Sequence, residues 1–272
     1  MAVVRDEHDA EYLQRGSKDG NEGVHMKECT IEAEGHLHDD YQRIREHFAD
    51  EGKTPWCWVF YGDSITHGAT HTHGWRSFPE IFAERIRWEI QHWQDVVINT
   101  GISGNTTAEL IRDYDWRCRH WQPQVIFLLI GINDIVKPGD LGQYRANLLK
   151  LISLIRADSA IPIVQTYSRI QKIQENPGYW KRYVELPAYN GIIREIAQKE
   201  KLILVDHDLH WQKHAADPET LASWLGEPIH PGALGHLEMA MEIFRCLGIY
   251  DPAANSSNPD GSPFRIPAVS GQ

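Results

Sequence analysis

The sequence predicts an α/β fold in which helices cover both faces of a mainly parallel sheet. Apolar runs of strand length alternate with stretches whose apolar residues recur at helical spacing, about five times along the chain. Several apolar runs are continuous rather than alternating, which is typical of parallel strands that are buried on both faces. A single doubly wound domain of five strands accounts for this pattern.

Five apolar segments are predicted to be the strands. In chain order they are WCWVFYG, ending at Gly62; VVIN, 96–99; VIFLLIG, 125–131; IPIVQTY, 161–167; and LILVD, ending at Asp206. Helical spacing of apolar residues occurs in five other segments. They are 38–51, closed by Gly52; 78–93; 141–155; the segment through 192–196; and 237–247.

The two ends of the chain differ in composition from the part between them. Residues 1–25 are polar and predict an N-terminal arm, and residues 251–272 contain four prolines without periodicity and predict a Pro-rich tail. Residues 26–250 are predicted to form the folded domain. The N-terminus shows no apolar h-region, so we expect no signal peptide and a cytoplasmic protein.

The charge balance argues against some classes of partner. Among 272 residues, Lys plus Arg number 27 and Asp plus Glu number 38, a net charge of −11. We therefore expect no nucleic acid as partner and no binding to an anionic membrane. The four cysteines have no CxxC spacing and indicate free thiols. The sequence leaves the oligomeric state open.

Residues with catalytic chemistry follow the predicted strands. Ser64 comes after the first strand, Gly104 after the second and Asn133 after the third, and His230 precedes the last helix. Ligands of an open parallel sheet bind beyond the carboxyl ends of its strands, so we expect these residues at one edge. A serine, glycine-rich backbone, an amide and a histidine are the nucleophile, oxyanion donors and base that acyl transfer needs.

Four segments at these positions resemble the motif blocks of the SGNH hydrolases, the GDSL esterase/lipase group. They are GDSI at 62–65, ISGNT at 102–106, GIND at 131–134 and PIHP at 228–231, in the order of the family. The resemblance implies a flavodoxin-like three-layer α/β/α sandwich with a central, mainly parallel five-stranded sheet. It also implies ester hydrolysis without a cofactor. The sequence has no GxSxG elbow, no Walker A motif and no GxGxxG after a strand to favour another class.

The resemblance implies a role for each matching residue. Ser64 is the expected nucleophile, and His230 is the base that takes its proton. The oxyanion hole is expected from the backbone N–H groups of Ser64 and Gly104 and from the side-chain amide of Asn133. We interpret His236, near the start of the last helix, as structural.

The residue that orients the histidine departs from the family pattern. The family has Asp three residues before the histidine, and this chain has Glu227 there. A carboxylate at this spacing can accept the second N–H of the His230 imidazole and fix its tautomer. Glu227 is the favoured orienting acid, and the sequence leaves Asp206, Asp208 or a backbone carbonyl as alternatives.

Three histidines, His67, His71 and His73, follow the serine closely and raise the question of zinc. No cysteine or carboxylate lies nearby at a zinc-site spacing, and serine chemistry needs no metal, so we expect none. We expect these histidines in a loop at the entrance of the site. His67 and Trp75 are expected to line a substrate pocket.

Together these features predict a serine ester hydrolase that acts through an acyl-enzyme on a small-molecule or carbohydrate acyl ester. Carbohydrate O-acetylesterase is the favoured subclass, because the sequence shows no long apolar lid and no membrane-binding helix. A thioesterase or lysophospholipase would use the same groups. A non-catalytic ligand-binding module on the same fold is the alternative from another class, and Glu227 would then mark lost activity.

Overall fold

The computed structural model describes residues 36–50, 54–137, 139–173 and 176–259. Its strands form one sheet and match the five predicted apolar segments. They are β1 (Cys57–Gly62), β2 (Val96–Asn99), β3 (Val125–Leu129), β4 (Ile161–Gln165) and β5 (Ile203–Val205). The strand order is β2-β1-β3-β4-β5, and every neighbouring pair is parallel. The predicted α/β fold with a parallel five-stranded sheet is confirmed.

Helices occupy the connections between the strands. They are α1 (His36–Ala49), α2 (Ser64–His67), α3 (Phe78–Glu84), α4 (Thr107–Arg117), α5 (Leu141–Ala157), α6 (Pro177–Lys199), α7 (His207–His214), α8 (Pro218–Trp224) and α9 (Ala233–Leu247). The helix α3 packs against α9, whereas α4 packs against α5 and α5 against α6. None of the described helices is both long and apolar enough to cross a membrane.

The core lies on the central strands. Every residue of β3 and β4 is buried, and so is every residue of β1 except Cys57. The rings of Phe60 and Phe127, paired in register on β1 and β3, stack with centroids 4.4 Å apart. Continuous apolar runs therefore did indicate strands buried on both faces. The strand β2 is the exception, because it lies at the sheet edge and leaves Val96 50% exposed.

The sequence pattern missed α4, which connects β2 to β3. The buried side chains of this helix are only Thr107, Leu110, Tyr114 and Arg117, so its apolar periodicity is weak. A helix-start signal was nevertheless present, because Thr106 and Glu109 form a capping box in which each side chain bonds the backbone N–H of the other residue. The short helices α7 and α8 were also missed; each begins after an aspartate whose side chain caps it.

The apolar pattern predicts one helix over 78–93, but the α-helix ends at Glu84. After α3 the chain continues as a π-helical turn, Arg85–Glu89, in which Ile90 N–H bonds Arg85 O. A π turn holds more residues than an α turn, so later residues no longer share the buried face. Trp93, included in the pattern, is 62% exposed.

The predicted N-terminal arm, 1–25, lies outside the described residues. The predicted tail, 251–272, is described only as far as 259. That part packs on the domain, because Ser256 is fully buried and its N–H bonds Glu89 Oε1 at 2.9 Å. Packed structure therefore extends beyond the predicted domain boundary at 250.

Candidate active site

Ser64 lies at the end of the middle of three adjoining strands. It is the first residue of α2, separated from the end of β1 by one residue, and is 8% exposed. The preceding Asp63 caps α2 by accepting a hydrogen bond from Ile65 N–H, and its second oxygen accepts one from the Tyr167 hydroxyl. Burial raises the pKa of Asp63 to about 7. Asp63 therefore anchors the turn that carries Ser64.

The histidine and the acid share one closed loop between α8 and α9. Leu225 and Pro231 form an isolated antiparallel bridge, and Gly226 N–H donates to His230 O at 3.0 Å. This closure brings the side chains of Glu227 and His230 to the same side of the loop, so that Glu227 Oε1 contacts the Nδ1 atom of His230. The Nε2 atom of the same imidazole lies 2.7 Å from Ser64 Oγ.

The contacts of His230 with Ser64 and Glu227 define where the protons must lie for the serine to be activated. When Nδ1–H donates to the Glu227 carboxylate, Nε2 carries the lone pair and accepts from the Ser64 hydroxyl. The geometry therefore brings together all three residues that the sequence analysis placed in the triad. Their arrangement is that of a serine nucleophile, a base and an orienting acid.

The other two carboxylates considered for His230 are engaged elsewhere. Asp206 accepts two hydrogen bonds from Arg194, each at 2.7 Å, and one from the Thr166 hydroxyl at 2.9 Å. Asp208 accepts from the same guanidinium at 2.7 Å. These bonds tie α6 to the start of α7 and leave Glu227 as the carboxylate beside His230.

The surroundings of His230 favour the neutral form of its imidazole. Burial is the largest cause lowering its pKa below 6.5, and the charges of His71 and Arg182 lower it further. The hydrogen bond and charge of Glu227 act in the opposite direction, but the pKa stays lowered. A neutral imidazole is the form that can accept the serine proton. His236, by contrast, is fully buried, its Nδ1 accepts from Phe78 N–H, and its pKa falls to about 3, which fits a structural residue.

The predicted oxyanion donors lie on either side of Ser64. Gly104 follows β2 and Asn133 follows β3, and these strands flank β1 in the sheet. Gly104 has φ +82°, a conformation that glycine adopts without strain. The Asn133 amide donates one N–H to Asn105 O at 2.9 Å, which leaves its second N–H for another acceptor.

Two arginines that were not predicted from the sequence hold these loops. Arg117 of α4 is buried and donates to Thr100 O, to Asn105 Oδ1 at 2.6 Å and to Gly62 O at 3.4 Å. It thereby links the turns after β1 and β2. Arg182 of α6 donates to Ile132 O at 3.3 Å and to Asn133 Oδ1 at 3.5 Å. The capping box of Thr106 and Glu109 was the sequence signal from which α4, the helix that carries Arg117, could have been predicted.

The predicted pocket residues His67 and Trp75 are both exposed. His67 ends α2 and its Nδ1 is 3.1 Å from the hydroxyl of Ser103, which precedes Gly104. His73 and Trp75 are exposed residues of the loop before α3, with Trp75 51% exposed. Of the three clustered histidines, His71 contacts the triad through its ring, which stacks on His230 with centroids 3.5 Å apart.

Two groups of ligand-type side chains occur in the described part of the chain. One is His71, Glu227 and His230. The rings of its two histidines are parallel within 6° and 3.5 Å apart, so one ion cannot lie in the plane of both imidazoles, as nitrogen coordination requires. This group therefore does not fit a metal in the observed arrangement.

The second group, His47 of α1 with His92 and Asp95 before β2, is buried at the opposite end of the sheet from the catalytic edge. Asp95 Oδ2 accepts from His47 Nε2–H at 2.7 Å and from the Trp58 indole at 2.8 Å. Its other oxygen accepts from Trp56 N–H at 2.9 Å. These bonds satisfy the carboxylate by joining α1 to β1 and β2.

Comparisons with known proteins agree with this geometry. The model of the GDSL-like Lipase/Acylhydrolase family matches residues 60–237. An acetylxylan esterase of Geobacillus stearothermophilus is 26% identical over 210 residues, covering 70% of this chain and 93% of that protein. An arylesterase of Vibrio mimicus is 28% identical over 145 residues, covering 53% of this chain and 66% of that protein. An uncharacterized protein of Mycoplasma pneumoniae is 30% identical over 112 residues, which are 39% of this chain and 13% of that protein.

Solved structures share the fold. A crystal structure of the acetylxylan esterase from Geobacillus stearothermophilus superposes with a TM-score of 0.58 at 20% identity, covering 71% of this chain and 94% of that one. An alpha/beta hydrolase enzyme from the metagenome of Lake Arreo, Spain, gives a TM-score of 0.61 at 20% identity, covering 72% and 96%.

Proposed function

Since the chain belongs to the GDSL-like lipase/acylhydrolase family and is a serine ester hydrolase, we propose that it removes short acyl groups, foremost acetyl, from carbohydrate esters. The observation that carries the catalytic part is the continuous contact from Ser64 through His230 to Glu227. The proposed roles are nucleophile for Ser64, general base for His230 and orienting acid for Glu227.

The first half of the reaction forms an acyl-enzyme. Ser64 Oγ attacks the ester carbonyl carbon while its proton passes to Nε2 of His230. The carbonyl electron pair moves onto its oxygen, where the N–H groups of Ser64 and Gly104 and the Asn133 amide stabilise the negative charge. When this pair returns, the bond to the alcohol oxygen breaks, and the alcohol leaves with the proton from His230.

Water completes the cycle. His230 Nε2 takes a proton from water as its oxygen attacks the acyl carbon, and the same three donors hold the second oxyanion. Collapse breaks the bond to Ser64 Oγ, which regains the proton from His230, and the carboxylic acid leaves. Glu227 stays ionised through both halves and stabilises the imidazolium.

Two observations support a short acyl group on a polar alcohol. The segment 67–75, which follows Ser64 along the chain, contains His67, Trp75 and mostly polar residues rather than a continuous apolar run. The acetylxylan esterase relative, which the chain matches over 93% of that protein, supports an acetylated carbohydrate. An exposed aromatic ring such as Trp75 is suited to pack on the apolar face of a sugar.

The test compares substrates on one enzyme preparation. p-Nitrophenyl esters of two to twelve carbons define the acyl preference, and acetylated xylooligosaccharides define the alcohol preference. We expect kcat/KM to be highest for acetyl and to fall with chain length. A preference for long chains, or no release of acetate from the carbohydrate, would refute the carbohydrate proposal.

A serine-directed phosphonate probe separates the enzyme from a binding module. Labelling of the wild-type chain and its loss in Ser64→Ala are expected, with Ser223→Ala, a surface serine of α8, as the matched control. A wild-type chain that neither reacts with the probe nor hydrolyses any ester would refute the proposed roles of the triad.

A further inference from the structure

His71 shares the environment of the catalytic base. Its ring lies parallel to that of His230, with an interplanar angle of 6° and centroids 3.5 Å apart. Its Nδ1 atom is 3.9 Å from Glu227 Oε1, the same oxygen that contacts His230. One carboxylate oxygen therefore faces two imidazoles, of which only His230 contacts Ser64.

The position of His71 is fixed by contacts within its own loop and with the loop that carries Gly226. The Thr72 side chain is buried and bonds Gly68 O at 2.9 Å, and Trp75 N–H bonds Thr72 O at 3.0 Å. On the other side, a Cβ at Gly226 would lie 2.5 Å from His71 O, so a side chain there would separate the loops. The stack is thus a consequence of close backbone packing.

We propose that His71 is a positioning residue for the general base: its ring holds the His230 imidazole in the plane that directs Nε2 at Ser64, and it disfavours protonation of that imidazole. This inference rests on the proposed function of His230. It assigns His71 no contact with the reacting atoms.

Two physical effects of the stack act in the same direction. The ring of His71 excludes water from one face of His230, and burial disfavours the charged form of an imidazole. Any positive charge on His71 would repel an imidazolium 3.5 Å away. Both effects lower the pKa of His230, and the charge of His71 is among the causes of the lowered value.

Other groups around His230 must be held constant in the test. Glu227 faces it from its own loop, Arg182 from α6 and His236 from α9. A substitution at position 71 leaves all three in place. His71→Ala removes both the ring and its charge, whereas His71→Phe keeps a ring against His230 and removes only the charge.

The experiment is an NMR titration of the full chain labelled with ¹⁵N-histidine, with the His230 signals identified by their loss in His230→Asn. We expect the midpoint for His230 to rise by about half a pH unit or more in His71→Ala, and by less in His71→Phe. His38→Ala, an exposed histidine of α1, is the matched control and should leave the midpoint unchanged.

The pH–rate profile provides the functional readout. Because the base acts in its neutral form, a raised pKa moves the acid limb of kcat/KM to higher pH in the same order of variants. An unchanged or lowered His230 midpoint in a folded His71→Ala variant overturns the inference. The titration needs no turnover, so absence of esterase activity would refute the proposed function while the NMR result still decides the role of His71.

Discussion

Glu227 Oε1 contacts Nδ1 of His230, three residues further along the same loop. The family pattern places the shorter Asp at this position, and the longer side chain still reaches the ring. Because the carboxylate holds Nδ1–H, Nε2 is left as the acceptor 2.7 Å from Ser64 Oγ. Substitution of Asp by Glu is therefore compatible with a working triad.

Removal of the nucleophile should abolish turnover without unfolding the chain. Ser64→Ala is expected to lower kcat by at least ~10³-fold, because no other hydroxyl contacts His230 in the described residues. Ser223→Ala should retain wild-type kcat. Thermal melting of both variants checks the fold, and substantial hydrolysis by a folded Ser64→Ala would contradict the assignment.

Loss of the side-chain oxyanion donor should reduce the rate less severely. Asn133→Ala is expected to lower kcat by ~10²- to 10³-fold with a smaller effect on KM, since the developing oxyanion needs the amide more than the bound ester does. Steady-state kinetics on p-nitrophenyl acetate measure both constants. An effect confined to KM would instead make Asn133 a substrate-binding residue.

The acid at position 227 should control both rate and pH dependence. Glu227 raises the pKa of His230, so Glu227→Gln is expected to shift the acid limb of kcat/KM to lower pH while reducing kcat by at least ~10²-fold. In the wild type that limb should lie below pH 6.5, because the pKa of His230 is lowered overall.

Asp206→Asn is the matched control for this experiment. Asp206 bonds Arg194 and Thr166 rather than His230, so its loss should affect stability more than kcat. If Asp206→Asn reproduced the shifted acid limb and Glu227→Gln did not, the two assignments would have to be exchanged.

Asp63 should make stability depend on pH. Burial raises its pKa from 3.8 to about 7, so between these values the folded chain holds a proton that the unfolded chain has lost. The free energy of unfolding therefore falls as pH rises through this window, and Asp63→Asn removes this contribution. Urea denaturation at about pH 5 and pH 8 should show the variant gaining stability relative to wild type at the higher pH.

An exposed carboxylate provides the comparison for Asp63. Asp115→Asn, at a side chain that is 78% exposed, should show no such gain between the two pH values. An equal gain in both variants would attribute the effect to net charge rather than to the buried carboxyl.

Ester hydrolysis should survive prolonged EDTA treatment and dialysis. The proposed nucleophile is a side-chain hydroxyl, so no metal-bound water is required. Activity on p-nitrophenyl acetate before and after treatment is the measurement. Loss of activity that zinc restores would contradict the mechanism and would indicate that His71, Glu227 and His230 bind a metal.

Much of the fold could be predicted because strands that are buried on both faces have continuous apolar sequences. The runs around β1, β3 and β4 are apolar at nearly every position, and these strands are buried on both faces. The helix α4 has only a weak apolar periodicity, because its packing relies on two aromatic or aliphatic residues and a buried arginine. Apolar periodicity detects the first kind of element and misses the second.

The residues of the candidate site likewise differ in whether the sequence alone could predict them. Residues directly after strands, such as Ser64 and Asn133, were found because parallel strands end at one edge. Arg117 and Arg182 were not, because each acts from a helix that meets the site only after folding. His71 was predicted at the entrance of the site, but its stacking on His230 was not predicted. Arg117 contacts backbone oxygens and an amide, which leaves no motif in the sequence.

The sequence by itself determined the order of strands along the chain, the four motif blocks and the spacing that allows Glu227 to reach His230, because these depend on neighbours in the chain. Tertiary structure alone decided that β1 lies between β2 and β3 and that the oxyanion donors flank Ser64. It also decided that His71 stacks on His230 and that Arg194 engages Asp206 and Asp208. Such contacts join residues far apart in sequence, and burial and packing of the whole domain select them.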